Sequence, residues 1–249
     1  MERDSDPLRA ESFPSSDLAE LQLLHLADSA LPIGALAHSF GIESLVAHEG
    51  LHVSDLPKFF GAYLEEAGVV EAVFCRAGFG LGRADGEAFA TERWRELNRL
   101  LSALQPAREA RAGSATLGHN FLAAVNALGK FSSIEEIITG FRRSPARDRD
   151  PIHHAPAFGL ASSVLHLDEN RAVLAYLHQS VTGLVSACQR LLPLGQSEAT
   201  RILWNLKPAM IETARKSATQ TLEDVCSFMP LLDWGAMEHP ALTTRLFVS

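Results

Sequence analysis

Prolines and glycines divide this chain into apolar segments of helical length, and none of those segments shows the two-residue alternation that a half-buried β-strand needs. The segment Ser29–Gly34, with Pro32 inside it, separates a helix predicted to be capped by Asp17 from a helix predicted over Leu36–Glu49. Farther along the chain, Asp168 precedes a long run with apolar residues at helical spacing and is predicted to cap that helix. This pattern of helix breakers and capping residues predicts an all-α fold, a single-domain helical bundle of about ten helices.

Size and charge are those of a globular protein that does not bind nucleic acid. The chain has 249 residues, of which 47% are hydrophobic, and this is enough for a sizeable core. Its net charge of −8 disfavours nucleic-acid binding, because phosphate backbones need clustered lysine and arginine. We expect buried free thiols in a reducing cytosol from the three widely separated cysteines, Cys75, Cys188 and Cys226.

The sequence also predicts a cytoplasmic protein without a membrane segment. Its charged amino-terminal residues lack the apolar stretch of a secretory signal. Two long uncharged runs, at 112–129 and 172–189, contain histidine, asparagine or glutamine. A bilayer span would be more uniformly apolar, so both runs are predicted to be buried helices.

The last part of the chain differs from the helices before it. Residues 1–16 are predicted to be disordered, residues 17–225 to form the helical domain, and residues 226–249 to form a carboxyl-terminal tail. Within the tail, Met229–Trp234 and Leu242–Phe247 are too apolar to remain free in water. Trp, Leu, Phe and Arg are typical of interface anchors, so the tail is predicted to bind a partner protein. The alternative is that it packs back on its own bundle.

One string has the spacing of a zinc-hydrolase motif. Residues His48-Glu49-Gly50-Leu51-His52 match His-Glu-x-x-His, which requires both imidazoles on one face of a helix. Gly50 inside the string indicates that a helix ends here, and no third ligand is evident. Because the spacing fits, a helical metallohydrolase using His48, Glu49 and His52 is kept as the alternative function. Neither Gly-x-Ser-x-Gly nor the Walker phosphate loop occurs, so the chain is not expected to hydrolyse nucleotides, and we predict no catalytic residue and no metal ligand in it.

Two further patterns are open to more than one interpretation. The glycines of Gly78-Phe-Gly80-Leu-Gly82 serve either a phosphate cradle or close helix contact, and their spacing is not that of the dinucleotide fingerprint. Polar residues also interrupt apolar helical runs, and they fit packing networks, a contact surface or a hydrated passage through the bundle. These polar residues are His119, Asn120, Asn126, His178, Gln179, Gln189 and Arg190.

Six short segments, which make up four motifs, occur together in an order that is typical of one protein family. Ser29-Ala-Leu-Pro-Ile-Gly34 precedes Ser39-Phe-Gly-Ile-Glu43, and Pro156-Ala-Phe-Gly159 lies in the middle of the chain. Arg190-Leu-Leu-Pro-Leu-Gly-Gln196 follows, and the chain ends with Met237-Glu-His239 and Arg245-Leu-Phe-Val-Ser249. Together they resemble the urease accessory protein UreF family over roughly residues 21–249. The chain departs from the family pattern at Gly34-Ala-Leu36, where Gly-Gly-Phe is usual, and at Glu198-Ala199, where Gly-Gln usually repeats.

The resemblance implies a non-enzymatic, all-helical maturation factor that dimerises, binds the accessory protein UreD (also called UreH) and recruits the GTPase UreG. The assembly would deliver nickel to apo-urease, with nickel handled by the complex and no cofactor stably bound to this chain. The residues predicted to contact UreD/UreH are His239, Arg245, Leu246, Phe247 and Ser249. The residues predicted to shape a surface for UreG or for a second UreF copy are Gly34, His38, Ser39, Gly41, Glu43, Pro193, Gly195 and Gln196.

Overall fold

Helices dominate the computed structural model, which describes residues 15–82, 89–145, 147, 149–226 and 229–249. No β-strand occurs within these ranges, which confirms the predicted all-α fold. The α-helices of the described ranges are α1 (Ser15–Leu26), α2 (Ile42–Ala47), α3 (Leu56–Tyr63), α4 (Val69–Gly82), α5 (Thr91–Leu104), α6 (Arg108–Leu128), α7 (Ser132–Arg143), α8 (His154–Val164), α9 (Glu169–Leu191), α10 (Gln196–Asn205), α11 (Lys207–Ser217) and α12 (Pro230–Glu238). A π-helical turn, Leu64–Gly68, joins α3 to α4.

The start of the chain can be compared with its prediction only in part. Of the segment 1–16 that was predicted to be disordered, residues 1–14 lie outside the described residues. Helix α1 begins at Ser15, two residues before the predicted cap. Asp17 therefore lies in the first turn of the helix, where its negative charge still favours the helix amino terminus.

Helix α8 lies at the centre of the bundle and packs against α4 and α6. Every residue from 154 to 163 is buried, which explains why this helix is apolar all round instead of on one face. The largest fully buried side chains among the described residues are phenylalanines, namely Phe60, Phe74, Phe79, Phe121 and Phe158.

Glycines allow α8 to approach its neighbours closely. A Cβ atom at Gly159 would lie 1.8 Å from the carbonyl oxygen of Cys75, and a Cβ atom at Gly78 would lie 2.2 Å from that of Pro156. Residues Gly78–Gly82 are part of helix α4, whose backbone N–H groups are engaged in the helix itself. Close helix contact, and not a phosphate cradle, is therefore the role of Gly78.

The helix predicted over Leu36–Glu49 is interrupted, so this prediction is wrong. Residues Ala35–Ala37 form a single 3₁₀ turn, and α2 begins only at Ile42. Between them, Phe40 has a φ of +50° and Gly41 a φ of +98°, which no continuous right-handed helix can accommodate. A Cβ atom at Gly41 would also lie 2.6 Å from the carbonyl oxygen of Leu232 in α12. The break is thus caused by packing against a distant part of the chain.

Two local predictions around α9 hold. The Asp168 carboxylate accepts a hydrogen bond from the N–H of Arg171 at 2.8 Å, which confirms the predicted cap. Helix α9 ends at Leu191, and α10 begins at Gln196 after the turn that contains Pro193 and Gly195.

The cysteines and the helix lengths bear on two other expectations. Cys75 and Cys188 are buried free thiols, as predicted, but Cys226 is exposed between α11 and α12. The prediction of three buried thiols is therefore wrong for Cys226. In the ranges that the structure describes, no helix has both the length and the apolar character required to span a bilayer.

Candidate functional site

The carboxyl-terminal segment lies against the chain's own body. Helix α12 packs against α2 and α6, and the residues after it run beside the break at 37–41. The N–H of Val248 donates to the carbonyl of Ala37 at 2.8 Å, and the N–H groups of Ser39 and Phe40 donate to the Ser249 backbone oxygen at 2.5 and 3.1 Å. In this structure the tail therefore packs on its own bundle, the second of the two alternatives that the sequence left open.

Glu43, in the first turn of α2, holds the tail through its carboxylate. The residue is only 5% exposed. Its Oε1 accepts a hydrogen bond from the N–H of Leu246 at 2.6 Å, and its Oε2 accepts one from the N–H of Phe247 at 3.1 Å. A buried carboxylate needs such partners, and each hydrogen bond to a charged group contributes about 1.5–3 kcal/mol. Glu43 is thus the principal attachment point of the tail.

His239 is fully buried and connects Glu43 to Glu109 of α6. Its Nε2 lies 2.9 Å from the carboxylate of Glu43, and its Nδ1 lies 2.6 Å from that of Glu109. The second oxygen of Glu109 is 3.3 Å from the guanidinium of Arg245. Both imidazole nitrogens face carboxylate oxygens, so His239 bridges the two acidic side chains. We call these four residues, Glu43, Glu109, His239 and Arg245, the tail clamp.

Arg190, near the end of α9, packs on Phe247. Among the described residues 242–249, Phe247 is the only large side chain that is buried. Phe247 is 5% exposed, and the Arg190 guanidinium carbon lies 4.2 Å from the centre of its ring. Arg190 also donates a hydrogen bond to the carbonyl of Leu36 at 2.7 Å. One side chain therefore ties α9 both to the tail and to the turn that receives it.

The turn that follows α9 is not part of this contact. Pro193, Gly195 and Gln196 are exposed. The Gln196 side chain accepts a hydrogen bond from Gln189 at 2.8 Å, and no described hydrogen bond connects the turn to the tail. The structure thus does not bring these three predicted residues together with the other site residues.

His38 and Ser249 meet in the interior. The hydroxyl of Ser249 lies 2.7 Å from Nδ1 of His38, and burial lowers the pKa of this histidine from its ordinary value of 6.5. Helix α6 closes over the pair through Gly113, where a Cβ atom would lie 2.9 Å from the Ser249 hydroxyl. Gly34 is exposed with a φ of +87° and has no close neighbours, so it shapes the preceding turn without contacting the tail.

At the end of the tail, alternate residues face the interior and the solvent. Phe247 and Ser249 are buried, whereas Leu246 and Val248 are 53% and 67% exposed. Helix α12 adds three more exposed apolar side chains, Leu231, Trp234 and Met237. We call the five exposed residues the apolar strip. Several large exposed apolar side chains in one part of a chain are typical of a surface that another protein covers.

A chamber of about 130 Å³ lies beneath α12, between α4, α6, α8 and α9. Glu71 of α4 lines it, and its Oε2 accepts hydrogen bonds from the hydroxyls of Tyr63 and Tyr176 at 3.1 and 3.2 Å. Burial raises the pKa of Glu71 to about 7, and the two tyrosine hydrogen bonds act in the opposite direction.

The zinc-hydrolase string does not form a metal site. Helix α2 ends at Ala47, so His48 is its cap, and Glu49 has a φ of +55°. His52 lies beyond, just before a 3₁₀ turn at Val53–Asp55, so the two imidazoles share no helix face. The part of the chain that the structure describes also contains no group of three His, Cys, Asp or Glu side chains arranged to hold a metal ion. The geometry therefore gives no support to the alternative function.

Sequence reasoning identified most of the residues at the tail contact but missed two. Glu109 lies in the first turn of α6, and nothing near it in the sequence indicates that it meets the tail. Arg190 belongs to the motif ending at Gln196, but its partners Leu36 and Phe247 are distant in sequence. Long-range contacts of this kind carry no local pattern.

Comparison with known proteins gives a consistent result. The UreF family model matches residues 52–207, more than half of the chain. A urease accessory protein UreF of Picosynechococcus sp. is 30% identical over 93% of this chain and 100% of its own length. Proteins of the same name from Corynebacterium glutamicum and Nostoc sp. are each 32% identical, over 93% and 92% of this chain and over 98% and 95% of their own lengths. The chain therefore belongs to the UreF family of urease accessory proteins.

Proposed function

We propose that this protein is a non-enzymatic adaptor in urease maturation, acting in the cytoplasm. It binds UreD/UreH, recruits the GTPase UreG and, as a homodimer within that assembly, helps to deliver nickel to apo-urease. Nickel is handled by the complex, and no cofactor is stably bound to this chain. Family membership supports the general role, and the tail supports the partner-binding part of it.

The observation that carries the proposal is the alternation of buried and exposed residues along the tail. The tail clamp and Phe247 keep the segment in place, while Leu246 and Val248 face outward. Helix α12 exposes Leu231, Trp234 and Met237 as well. Holding a short segment in one conformation reduces the entropy that a partner must remove on binding. We therefore assign the apolar strip to UreD/UreH.

This assignment divides the predicted UreD/UreH residues into two roles. Arg245 and Leu246 are exposed and positioned for direct contact. His239, Phe247 and Ser249 are buried and act by holding the tail in shape. The residues predicted to shape a surface for UreG or for a second UreF copy also divide. His38, Ser39, Gly41 and Glu43 are buried, whereas Gly34, Pro193, Gly195 and Gln196 are exposed. We therefore place that surface at Gly34 with the neighbouring exposed Leu36, and at the turn containing Pro193, Gly195 and Gln196.

Co-purification tests the proposal. The chain is tagged and co-expressed with UreD/UreH and UreG from the same source, and the eluate is analysed by size-exclusion chromatography with mass detection. Leu246→Asp combined with Val248→Asp should reduce UreD/UreH capture by about tenfold or more, since anchors of this kind dominate interfaces. Leu36→Asp should lower the recovery of UreG, or the mass of the dimer, without loss of UreD/UreH.

The matched control is Ile211→Asp, because Ile211 is 59% exposed on α11, which packs against α4 and α9. It should leave capture unchanged. Equal capture by the wild type and by the Leu246/Val248 variant would refute the assignment of the strip. Failure of the wild type to capture either protein would refute the adaptor function itself.

A further inference from the structure

The chamber beneath α12 has an unusual balance of polar groups. Its lining includes the carboxyl groups of Glu71 and Asp233, together with Tyr63, His154, Tyr176 and Gln179. Among the described residues of the lining, none is a lysine or an arginine. The described lining therefore contains two carboxyl groups and no lysine or arginine, and His38, which also lines the chamber, is engaged with the Ser249 hydroxyl.

Most of the hydrogen-bonding capacity left unused in the chamber is acceptor capacity. Both tyrosine hydroxyls donate to Oε2 of Glu71, and no described group donates to its Oε1. Gln179 is 7% exposed, and its Oε1 has no partner, although its amide nitrogen donates to the carbonyl of Leu26 at 3.2 Å. An acceptor without a donor is unfavourable in an enclosed site, so the fully buried Gln179 oxygen and the partly enclosed Glu71 oxygen favour a ligand that donates hydrogen bonds.

His154 adds no positive charge to the chamber. It is 7% exposed, its Nε2 has no hydrogen-bond partner, and burial lowers its pKa to about 4. The ring is therefore neutral near neutral pH and does not balance the carboxyl groups. Burial also raises the pKa of Asp233 and of Glu71, which is the expected effect when a carboxylate lacks a compensating cation.

The rest of the chamber is apolar and aromatic. Val70, Leu117 and Leu184 line it beside the rings of Phe40, Tyr63 and Tyr176. Aromatic faces attract cations, and apolar walls favour a short hydrocarbon body. A cavity of about this volume holds a ligand of roughly six non-hydrogen atoms.

We propose that the chamber is a binding site for a small organic cation, a primary ammonium with a short apolar body. The ammonium group donates hydrogen bonds to Glu71 and Gln179 and supplies the positive charge that the lining lacks. The apolar body packs against Val70, Leu117 and Leu184. This site is separate from the apolar strip, and it does not depend on the urease partners.

The test is a titration of the full chain with n-butylammonium and, in parallel, with its neutral isostere 1-butanol. Isothermal calorimetry measures affinity, and methyl NMR of Leu117 and Leu184 locates the ligand. We expect saturable binding of the ammonium and at least about tenfold weaker binding of the alcohol, because tenfold is the effect of a single modest polar interaction.

Two variants separate the chamber from general surface charge. Glu71→Gln keeps the shape of the side chain and should weaken ammonium binding by about tenfold or more, with little change for the alcohol. Glu66→Gln makes the same charge change at an exposed position of the π-helical turn and should have no effect.

Several outcomes would overturn the proposal. Equal binding of the alcohol and the ammonium would show a general apolar cavity, and equal losses in both glutamine variants would show a bulk charge effect. Absence of saturable binding, or of methyl shifts at Leu117 and Leu184, would also reject it. The assay contains no urease protein, so these outcomes leave the proposed adaptor function untouched.

Discussion

Replacing Glu71 by glutamine should stabilise the protein above neutral pH, and the gain should disappear toward pH 4.5. Burial raises the pKa of Glu71 from its ordinary value of 4.5 to about 7 in the folded protein. The folded state therefore holds this proton more tightly than the unfolded chain does. As pH rises from 4.5 to above 7, the free energy of unfolding falls, because ionisation is less favourable in the folded state.

The size of the effect follows from the two pKa values. The difference between 4.5 and about 7 corresponds to about 3 kcal/mol. The Glu71 side chain is not completely enclosed and borders the chamber, so hydration there reduces the penalty. We expect Glu71→Gln to gain about 2–3 kcal/mol above pH 8, or about 5–10 °C in Tm for a chain of this size.

Thermal and urea unfolding of both proteins between about pH 5 and pH 8.5 measures this difference. Protonation of His153 and His154, whose pKa values burial lowers to about 4, destabilises both proteins equally at acidic pH. The difference between variant and wild type is therefore specific to position 71. A difference that does not change with pH would refute the reasoning, and Glu66→Gln, at an exposed site, should show no such dependence.

Two further predictions concern packing and the cysteines. Gly159→Ala should destabilise the protein by about 3 kcal/mol or more in urea unfolding, because its Cβ would lie 1.8 Å from the Cys75 carbonyl, whereas Gly140→Ala, with no atom near its Cβ, should stabilise it by about 0.5–1 kcal/mol. Equal effects of the two changes would contradict the close contact of α4 and α8. A thiol reagent should label Cys226 in the native protein and all three cysteines only after unfolding, as measured by mass spectrometry, and native labelling of Cys75 would contradict its burial.

Local signals predicted the regular part of the fold. The Asp168 cap and the turn at Pro193–Gly195 depend on the nearest residues, and the structure has both where the sequence placed them. The helix predicted over Leu36–Glu49 failed because its interruption depends on α12. An apolar run with no proline inside it has no local sign that another helix will occupy the space beside Gly41.

The candidate site could be predicted as two separate pieces. The segments around Ser39–Glu43 and His239–Ser249 were both singled out, but as surfaces for different partners. In the structure they bind each other, through the Glu43 carboxylate and the backbone of the tail. Their pairing could not be predicted from the sequence, because two segments so far apart in the chain share no periodicity.

By itself the sequence determined the helical class, the family and the identity of most residues at the tail contact. These follow from periodicity, capping residues and short motifs, all of which act over a few neighbouring positions. Only the tertiary structure decided which face of the tail is buried, that Glu109 and Arg190 help to hold it, and that Glu71 borders a chamber without a basic partner. The physical reason is that burial and charge pairing depend on which helices meet, and that choice minimises the free energy of the whole chain.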